Sequence, residues 1–342
     1  MKKTFLYFCL LFIVQTAFAA DSLYVREQQI PILIDRIDNV LYEMRIPAQK
    51  GDVLNEITIQ IGDNVNLSDI QAIRLFYSGV EAPSRKGEHF SPVTYISSHI
   101  PGNTRKALES YSVRQDEVTA PLSRTVKLTS KQPMLKGINY FWVSIQMKPE
   151  TSLLAKVATT IPNAQINNKP IDITWKGKVD ERHVGIGVRQ AGDDGSAAFR
   201  IPGLVTTNNG TLLGVYDIRY NSSVDLQEKI DIGVSRSTDK GQTWEPMRVA
   251  MTFKQTDGLP HGQNGVGDPS ILVDEKTNTI WVVAAWTHGM GNERAWWNSM
   301  PGMTPDETAQ LMLVKSEDDG KTWSEPINIT SQVKDPSWYF LL

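Results

Sequence analysis

The sequence predicts an all-β protein in two parts, a β-sandwich over residues 22–175 followed by β-propeller blades over residues 197–342. Apolar and polar residues alternate with the period of strands in the first part. In the second part an eight-residue motif occurs twice, each time between the third and fourth of four strand-like runs. Repeated four-strand units of this kind are typical of propeller blades.

Short alternating runs predict the strands of the first part. Residues 57–61 and 126–128 alternate strictly, and residues 138–147 form a strand-like run with three aromatic side chains. Clusters of turn-forming residues separate these runs at the spacing expected of a sandwich. A short helix is predicted only at residues 151–158.

Residues 1–19 have the pattern of a secretory signal peptide. Two lysines precede an apolar core at residues 5–14, and small residues form a cleavage site that ends at Ala19. The core is shorter than the roughly 20 residues of a membrane-spanning helix. We therefore expect an exported protein, periplasmic, secreted or at the cell surface, without a membrane-spanning segment. Cys9 is the only cysteine, so the mature chain is expected to have no disulfide.

The charge and glycine patterns exclude two classes of function. The net charge of −3 argues against a nucleic-acid-binding surface. Residues 176–196 are rich in glycine and charge and are predicted to be a linker. Their glycine pair lacks the third glycine and the following helix of a nucleotide-binding loop.

A predicted β-hairpin places two arginines at one end of the first blade. Strand-like runs at residues 201–206 and 212–218 flank an Asn-Asn-Gly turn, which is a strong hairpin signal. Arg200 begins the first strand and Arg219 ends its antiparallel partner. Both guanidinium groups are therefore expected to emerge at the same end of the hairpin.

The two arginines have a functional and a structural interpretation. A guanidinium group binds a carboxylate or phosphate with two parallel hydrogen bonds and keeps its charge at any working pH. The structural alternative is that Arg200 and Arg219 pair with Asp217 or Asp231 on a solvated rim. The spacing of the residues leaves both interpretations open.

The repeated motif reads Ser-x-Asp-x-Gly-x-Thr-Trp and occupies residues 237–244 and 316–323. Its aspartates are suited to accept backbone N–H bonds in a tight turn, and its tryptophans to pack into the blade. We interpret the motifs as folding devices and not as metal or catalytic sites. The residues with these roles are Asp239, Trp244, Asp318 and Trp323.

The second four-strand unit is longer than the first, and its extra residues fall within residues 287–310. This insertion carries Trp296 and Trp297, which are candidates for the wall of a ligand pocket. A surface loop is the structural alternative. A third blade is predicted to begin at residues 338–342.

Together the motifs resemble those of sialidases, most closely bacterial exo-α-sialidases of the Bacteroides type. The repeated motif resembles the Asp box of that family, and residues 199–202 resemble the arginine motif that opens its catalytic domain. The resemblance implies a six-bladed propeller behind a carbohydrate-binding-like β-sandwich. It also implies release of terminal α-linked sialic acid with retention, without a metal or organic cofactor. Sialylated glycans are then the expected partners, and no obligate protein partner is expected.

The resemblance assigns roles to individual residues. Arg200 and Arg219 match two arginines of a carboxylate clamp, and Asp225 matches the acid/base that protonates the departing oxygen. That role works if partial burial raises the pKa of Asp225. Asp268 aligns in the second blade where Arg200 begins the first, and it matches an aspartate that hydrogen-bonds a substituent of the sugar. A turn at the start of a strand is the alternative for Asp268, and Trp296 and Trp297 are expected at the N-acetyl pocket or the next sugar.

The chain departs from the family pattern after its second blade. The third arginine, the glutamate base and the tyrosine nucleophile of sialidases come from later blades and have no match here. We therefore expect a C-terminally truncated sialidase that is inactive by itself. The alternative is a non-catalytic glycan-binding protein, in which the N-terminal sandwich binds carbohydrate. Trans-sialidation or formation of an anhydro-sugar is a further alternative on the same scaffold.

Overall fold

The structure, a computed structural model, confirms the all-β prediction. It describes residues 22–27, 30–80, 112–177, 181–289 and 294–339. The predicted signal peptide and residues 340–342 of the expected third blade lie outside these ranges. Trp338 and Tyr339 lie at the end of a turn and not in a strand. Within the described ranges, no helix is long and apolar enough to cross a membrane.

Thirteen strands occupy the first part of the described chain. They are β1 (Ser22–Glu27), β2 (Ile32–Leu33), β3 (Asn39–Ala48), β4 (Leu54–Ile61), β5 (Ile70–Gly79), β6 (Val113–Thr119), β7 (Thr125–Thr129), β8 (Gly137–Met147), β9 (Lys156–Val157), β10 (Thr159–Ile166), β11 (Lys169–Pro170), β12 (Asp172–Lys176) and β13 (Arg182–Gly185). They form a six-stranded sheet with the order β12-β1-β3-β8-β5-β6, a four-stranded sheet β11-β10-β4-β7 and a small sheet β2-β13-β9.

Alternating apolar residues of these sheets share one hydrophobic core. Ile57 and Ile59 of β4, Leu128 of β7 and Phe141 of β8 all belong to it and are buried. The predicted alternating runs therefore lie in strands whose apolar faces are buried, which is the expected arrangement of half-buried sheets.

The predicted helix at residues 151–158 is wrong. Lys156 and Val157 instead form β9, which pairs antiparallel with β13. β13 itself lies within the predicted linker. Its Arg182 is buried and donates to Val40 O at 2.6 Å and to Leu41 O at 2.7 Å. Pairing with a strand distant in sequence thus overrides the weak local helix signal. The predicted domain boundaries stay predictions.

The second part of the described chain forms two sheets of four strands. Their strands are β14 (Ala198–Thr206), β15 (Leu212–Arg219), β16 (Ile230–Ser237), β17 (Arg248–Met251), β18 (Val266–Asp274), β19 (Thr279–Trp286), β20 (Gln310–Ser316) and β21 (Ile327–Asn328). Each sheet is an antiparallel meander in chain order. This is the strand arrangement predicted for two propeller blades, and we call the two sheets the first and second blade.

The first blade begins with the predicted hairpin. Strands β14 and β15 pair antiparallel from Ala198↔Arg219 to Thr206↔Leu212. The Asn-Asn-Gly turn between them closes with Gly210 in the left-handed region at φ +80°. Apolar side chains of both blades then meet in one buried core, which includes Val215 and Val282.

Each repeated motif closes a turn between the third and fourth strand of a blade. In the first motif, Asp239 Oδ1 accepts from Ser237 Oγ at 2.8 Å and from Thr243 N at 2.9 Å, and Oδ2 accepts from Thr243 Oγ1 at 2.6 Å. In the second motif, Asp318 makes the same three bonds at 2.8, 2.9 and 2.6 Å. Both aspartates thus accept hydrogen bonds within their turns, and the role of the motifs as folding devices stays a prediction.

These bonds stabilise the ionised form of both aspartates. Hydrogen bonds from Thr243 lower the pKa of Asp239 to about 2. Partial burial acts in the opposite direction at Asp318, but hydrogen bonds from Thr322 outweigh it and lower the pKa to about 2. Trp244 lies beside Gly214, and Trp323 packs against the core of the blades.

The second motif also binds the first blade through Asp319, a contact that the sequence did not predict. Asp319 Oδ1 accepts from Thr207 Oγ1 at 2.6 Å, while Oδ2 accepts from Thr211 Oγ1 at 2.6 Å and from Arg236 Nη2 at 2.9 Å. The equivalent residue of the first motif, Lys240, is exposed. One position of the repeat thus connects the two blades.

Candidate active site

A β-bulge shapes the end of the first blade where the predicted site residues lie. The pairing of β14 with β15 shifts between Arg200 and Gly203. Ile201, inside the bulge and directly before Pro202, has a φ of +53°. This left-handed conformation is unfavourable for a β-branched residue, and strained backbone of this kind often lies at functional sites.

The second blade has an equivalent bulge, which corrects the predicted alignment by one residue. The pairing of β18 with β19 shifts between Gly267 and Ser270, and Asp268 has a φ of +57° directly before a proline. Asp268 is therefore the equivalent of Ile201. The equivalent of Arg200 is Gly267.

The structure brings Arg200, Arg219 and Asp225 together. Arg200 Nη1 donates to Asp225 Oδ1 at 2.8 Å, and Arg219 Nη1 donates to the same oxygen at 2.5 Å. Both Nη1 atoms also donate to Ser223 O, at 3.2 and 3.0 Å. One carboxylate oxygen and one carbonyl of the loop after β15 thus hold both arginines.

The two arginines differ in their access to solvent. The side chain of Arg219 is 1% exposed, and that of Arg200 is 43% exposed. Arg219 also donates from Nε and Nη2 to Asp217 Oδ2 at 3.0 and 2.6 Å. Arg219 therefore pairs with Asp217 as in the structural alternative, but the pair is buried and does not lie on a solvated rim. Of the two arginines, Arg200 is the one with an exposed guanidinium group.

Asp217 is a buried carboxylate behind the two arginines. Burial raises its pKa to about 6, although the charge and hydrogen bonds of Arg219 act in the opposite direction. Its Oδ1 accepts from the backbone N–H of Asp268 at 2.9 Å. Asp217 thus connects Arg219 to the bulge of the second blade.

Asp225 does not have the raised pKa that the sequence argument required. Partial burial of its carboxyl would raise the pKa, but the hydrogen bond and charge of Arg219 and the charges of Arg200 and Arg294 outweigh burial. The pKa lies below its ordinary value as a result, and the side chain is 38% exposed. Asp225 is ionised at neutral pH in the free site.

Asp268 faces the same group of charges from the second blade. Partial burial raises the pKa of its carboxyl, the charge of Arg219 opposes this rise, and the charge of Asp225 adds to it. The site therefore combines carboxylates from both blades around Arg200 and Arg219.

The loop that carries Asp225 is anchored to the second blade by the buried Gln227, which the sequence did not single out. Gln227 Nε2 donates to Thr287 O at 2.8 Å and to Gly289 O at 3.3 Å, and its Oε1 accepts from Gly265 N at 3.1 Å. A Cβ atom at Gly265 would lie 2.3 Å from Glu228 O, so this close approach requires glycine. Ala295 N also donates to Leu226 O at 2.9 Å.

A cavity of about 720 Å³ is lined in part by this loop. Its lining residues are Val224, Gln227, Glu228, Pro260, Gly262, Gln263, Arg294 and Trp297. Arg294 Nη1 donates to Asp225 O at 3.2 Å, which places the cavity beside the acid/base candidate. Trp297 lies in the short helix Ala295–Asn298 and is 70% exposed. The side chain of Trp296 lies outside what the structure describes.

Two further residues beside the site form a polar cluster with Asp231. Tyr220 Oη donates to Asp231 Oδ2 at 3.0 Å, and His261 Nε2 lies 2.8 Å from Asp231 Oδ1. Burial and the charge of Asp231 raise the pKa of Tyr220. An activated tyrosine nucleophile needs the opposite shift, which argues against that role for Tyr220.

The carboxylates of the site are interleaved with arginines, which does not suit a metal ion. Among the residues that the structure describes, no cluster of His, Cys, Asp and Glu fits a metal. The groups present at the site are suited to bind an anion and to exchange a proton.

Comparisons with known proteins agree with these features. Residues 20–170 match the family described as the N-terminal domain of BNR-repeat neuraminidase, and residues 201–342 match the BNR repeat-like domain. A sialidase of Bacteroides fragilis (strain YCH46) is 59% identical over 348 residues, which cover 100% of this chain and 64% of that relative. The solved structure of Hadza microbial sialidase Hz136 is 61% identical with a TM-score of 0.80, covering 93% of this chain and 62% of that one.

The fold and the matches define the class as a BNR-repeat protein with a neuraminidase-type N-terminal domain. The chain belongs to the sialidase family. It spans slightly less than two thirds of the length of both of these relatives.

Proposed function

We propose that this chain provides the acid/base and part of the carboxylate-binding site of an exo-α-sialidase. The enzyme would release terminal α-linked sialic acid from glycoproteins, glycolipids and oligosaccharides with retention. The observation that carries the proposal is the cluster of Arg200, Arg219 and Asp225 at one end of the blades. The identity of 59% to a sialidase over the whole chain supports it.

Arg200 is the residue that binds the carboxylate of the substrate. Sialic acid carries a carboxylate on its anomeric carbon, and a guanidinium group binds carboxylates with two parallel hydrogen bonds. The bonds found at Arg200 both use Nη1, so the edge formed by Nε and Nη2 is available to the ligand. This assignment differs from the predicted pair, because Arg219 is buried and holds Asp217 and Asp225.

Asp225 is the acid that protonates the departing glycosidic oxygen. Its hydrogen bonds from both arginines end on Oδ1, which leaves Oδ2 for the proton and the substrate. Asp268 takes a hydroxyl group of the bound sugar, since its carboxyl lies among the same charges. The protein positions these groups before the substrate arrives, which is how a fixed acid contributes to catalysis.

The cavity beside Asp225 receives the sugar that follows sialic acid. It combines the exposed ring of Trp297 with the amides of Gln227 and Gln263 and the carboxylate of Glu228. Aromatic faces with a few polar groups are suited to sugar rings. We further propose that the protein acts outside the cytoplasm, where sialylated glycans occur, in agreement with the signal-peptide pattern of residues 1–19.

Hydrolysis of two substrates with different leaving groups tests the proposal. The chain is assayed alone and as a chimera that takes the unmatched remainder from the Bacteroides fragilis relative. We expect Asp225→Ala to lower kcat/KM about 10²–10⁴-fold on sialyllactose and much less on an aryl sialoside, whose leaving group needs little protonation. Arg200→Ala should lower kcat/KM equally on both substrates, since it removes carboxylate binding.

Lys240→Ala is the matched control, because Lys240 is exposed in the first motif. It should leave both rates unchanged. Absence of hydrolysis in the chain and in the chimera would contradict the proposal. Equal losses on both substrates for Asp225→Ala would contradict its role as the acid.

A further inference from the structure

Asp225 is ionised in the free site, whereas the departing oxygen needs a proton. We infer that a carboxylate bound to Arg200 causes Asp225 to take up a proton, so that Asp225 can act as an acid only when an acidic sugar is bound. This inference rests on the proposed function and adds a condition to it. Its basis is the arrangement of charges around one guanidinium group.

Arg200 is the charge that Asp225 and the ligand share. Arg200 Nη1 donates to Asp225 Oδ1 at 2.8 Å, while the side chain is 43% exposed and none of the described hydrogen bonds uses its Nε or Nη2. A second carboxylate on the same guanidinium group competes for its single positive charge. Two carboxylates that share one site cannot both remain ionised as easily as one, so the proton affinity of Asp225 rises.

The other charged groups around Asp225 do not relieve this competition. Arg219 also donates to Asp225 Oδ1 at 2.5 Å, but it shares its charge with the buried Asp217 and so compensates only part of the added negative charge. Asp268 adds a negative charge from the second blade, and Arg294 acts from the insertion, where it donates to the backbone oxygen of Asp225. The bound anion therefore leaves this group of charges more negative by one, which a proton compensates.

Asp225 is the carboxylate that takes up this proton. Asp217 is buried behind Arg219 and accepts hydrogen bonds on both oxygens. Asp268 makes no ion pair with Arg200 among the described contacts. Asp225 is partly exposed and has Oδ2 available, so water delivers one proton to Oδ2 when the ligand binds. The proton then passes to the glycosidic oxygen, and the resulting carboxylate again pairs with Arg200.

The titration of the Asp225 carboxyl tests the inference directly. We would label the full chain with [4-13C]aspartate, assign Asp225 by the signal lost in Asp225→Asn, and follow it against pH by NMR. Saturating methyl α-glycoside of N-acetylneuraminic acid should raise the titration midpoint by about one to three pH units. The carboxamide analogue of this ligand should bind without raising it.

Two variants test the same link without ligand. Arg200→Met removes the shared charge and should raise the midpoint of Asp225, and Arg200→Lys keeps the charge and should leave the midpoint near that of the unsubstituted chain. Equal midpoints in Arg200→Met and the unsubstituted chain would overturn the inference.

The ligand experiment separates the inference from the proposed function. Saturation by the methyl glycoside with an unchanged midpoint overturns the inference and leaves the proposed function standing. Failure of the glycoside to bind both the chain and the chimera with the Bacteroides fragilis relative overturns the proposed function, and the inference falls with it.

Discussion

The two blades are alike at the end that carries the repeated motifs and differ at the end that carries the candidate site. Asp239 and Asp318 make the same three hydrogen bonds in their turns. At the other end, Asp217 and Arg219 of the first blade correspond in register to Ala285 and Thr287 of the second. Asp239 and Asp318 complete a turn in both blades. Asp217 and Arg219 have no counterparts in the second blade and form a buried ion pair that the fold of a blade does not need.

The largest expected effect comes from replacing one residue of the buried ion pair by the residue at the corresponding position of the second blade. Arg219→Thr leaves Asp217 buried without its cation, and an uncompensated buried charge costs about 3–5 kcal/mol of stability. Urea unfolding of the variant measures this loss.

The double variant Asp217→Ala with Arg219→Thr reproduces the residues found in the second blade. It removes both charges together, so its loss of stability should be smaller than that of Arg219→Thr alone. A larger loss in the double variant would mean that the ion pair is part of the blade fold, and the comparison would fail.

The one difference within the motifs gives a smaller effect. Asp319→Ala removes the acceptor for Thr207, Thr211 and Arg236 and should cost about 1–3 kcal/mol of unfolding free energy. Lys240→Ala is the matched control at the equivalent position and should change it by less than about 0.5 kcal/mol. Similar losses in both variants would show that Asp319 does not connect the blades.

The contributions of Asp217, at the site end, and Asp318, at the motif end, to the free energy of unfolding should depend on pH with opposite sign. The folded pKa of Asp217, about 6, exceeds the unfolded value of about 3.9. Its contribution to stability is therefore present below about pH 4 and is lost as pH rises through 6. The folded pKa of Asp318 is about 2, so its contribution is present above about pH 4 and is lost as pH falls through 2.

Unfolding free energies of two variants across pH 2–7 measure these contributions. Asp217→Asn should flatten the profile between about pH 4 and 6, and Asp318→Asn should flatten it between about pH 4 and 2. If Asp217→Asn changes the unfolding free energy only between about pH 2 and 4, the predicted opposite signs are refuted.

The blades could be predicted from the sequence because their signals are local. Each motif places its donors and acceptors within eight residues, and the hairpin turn is fixed by one Asn-Asn-Gly sequence. The helix expected at residues 151–158 failed for the converse reason. Its residues pair with β13, about 25 residues further along the chain, and no local pattern reports that partner.

Only part of the candidate site could be predicted. The sequence placed Arg200 and Arg219 at one end of the hairpin because strand pairing requires it, and the family resemblance added Asp225 from the loop that follows. The protonation of Asp225 depends on the balance of burial and several charges, which spacing does not give. Asp217 had a usable signal, since residues two apart in a strand share a face and Asp217 precedes Arg219 by two.

Gln227 has a consequence for motion within the site. The loop that carries Asp225 continues from the first blade, yet Gln227 bonds it to three backbone groups of the second. A small rotation of one blade against the other therefore moves the proton donor relative to Arg200, which stays with the first blade. The bonds of Asp319 to the first blade, at the opposite edge, hold the two blades together and so oppose such a displacement of acid from anion.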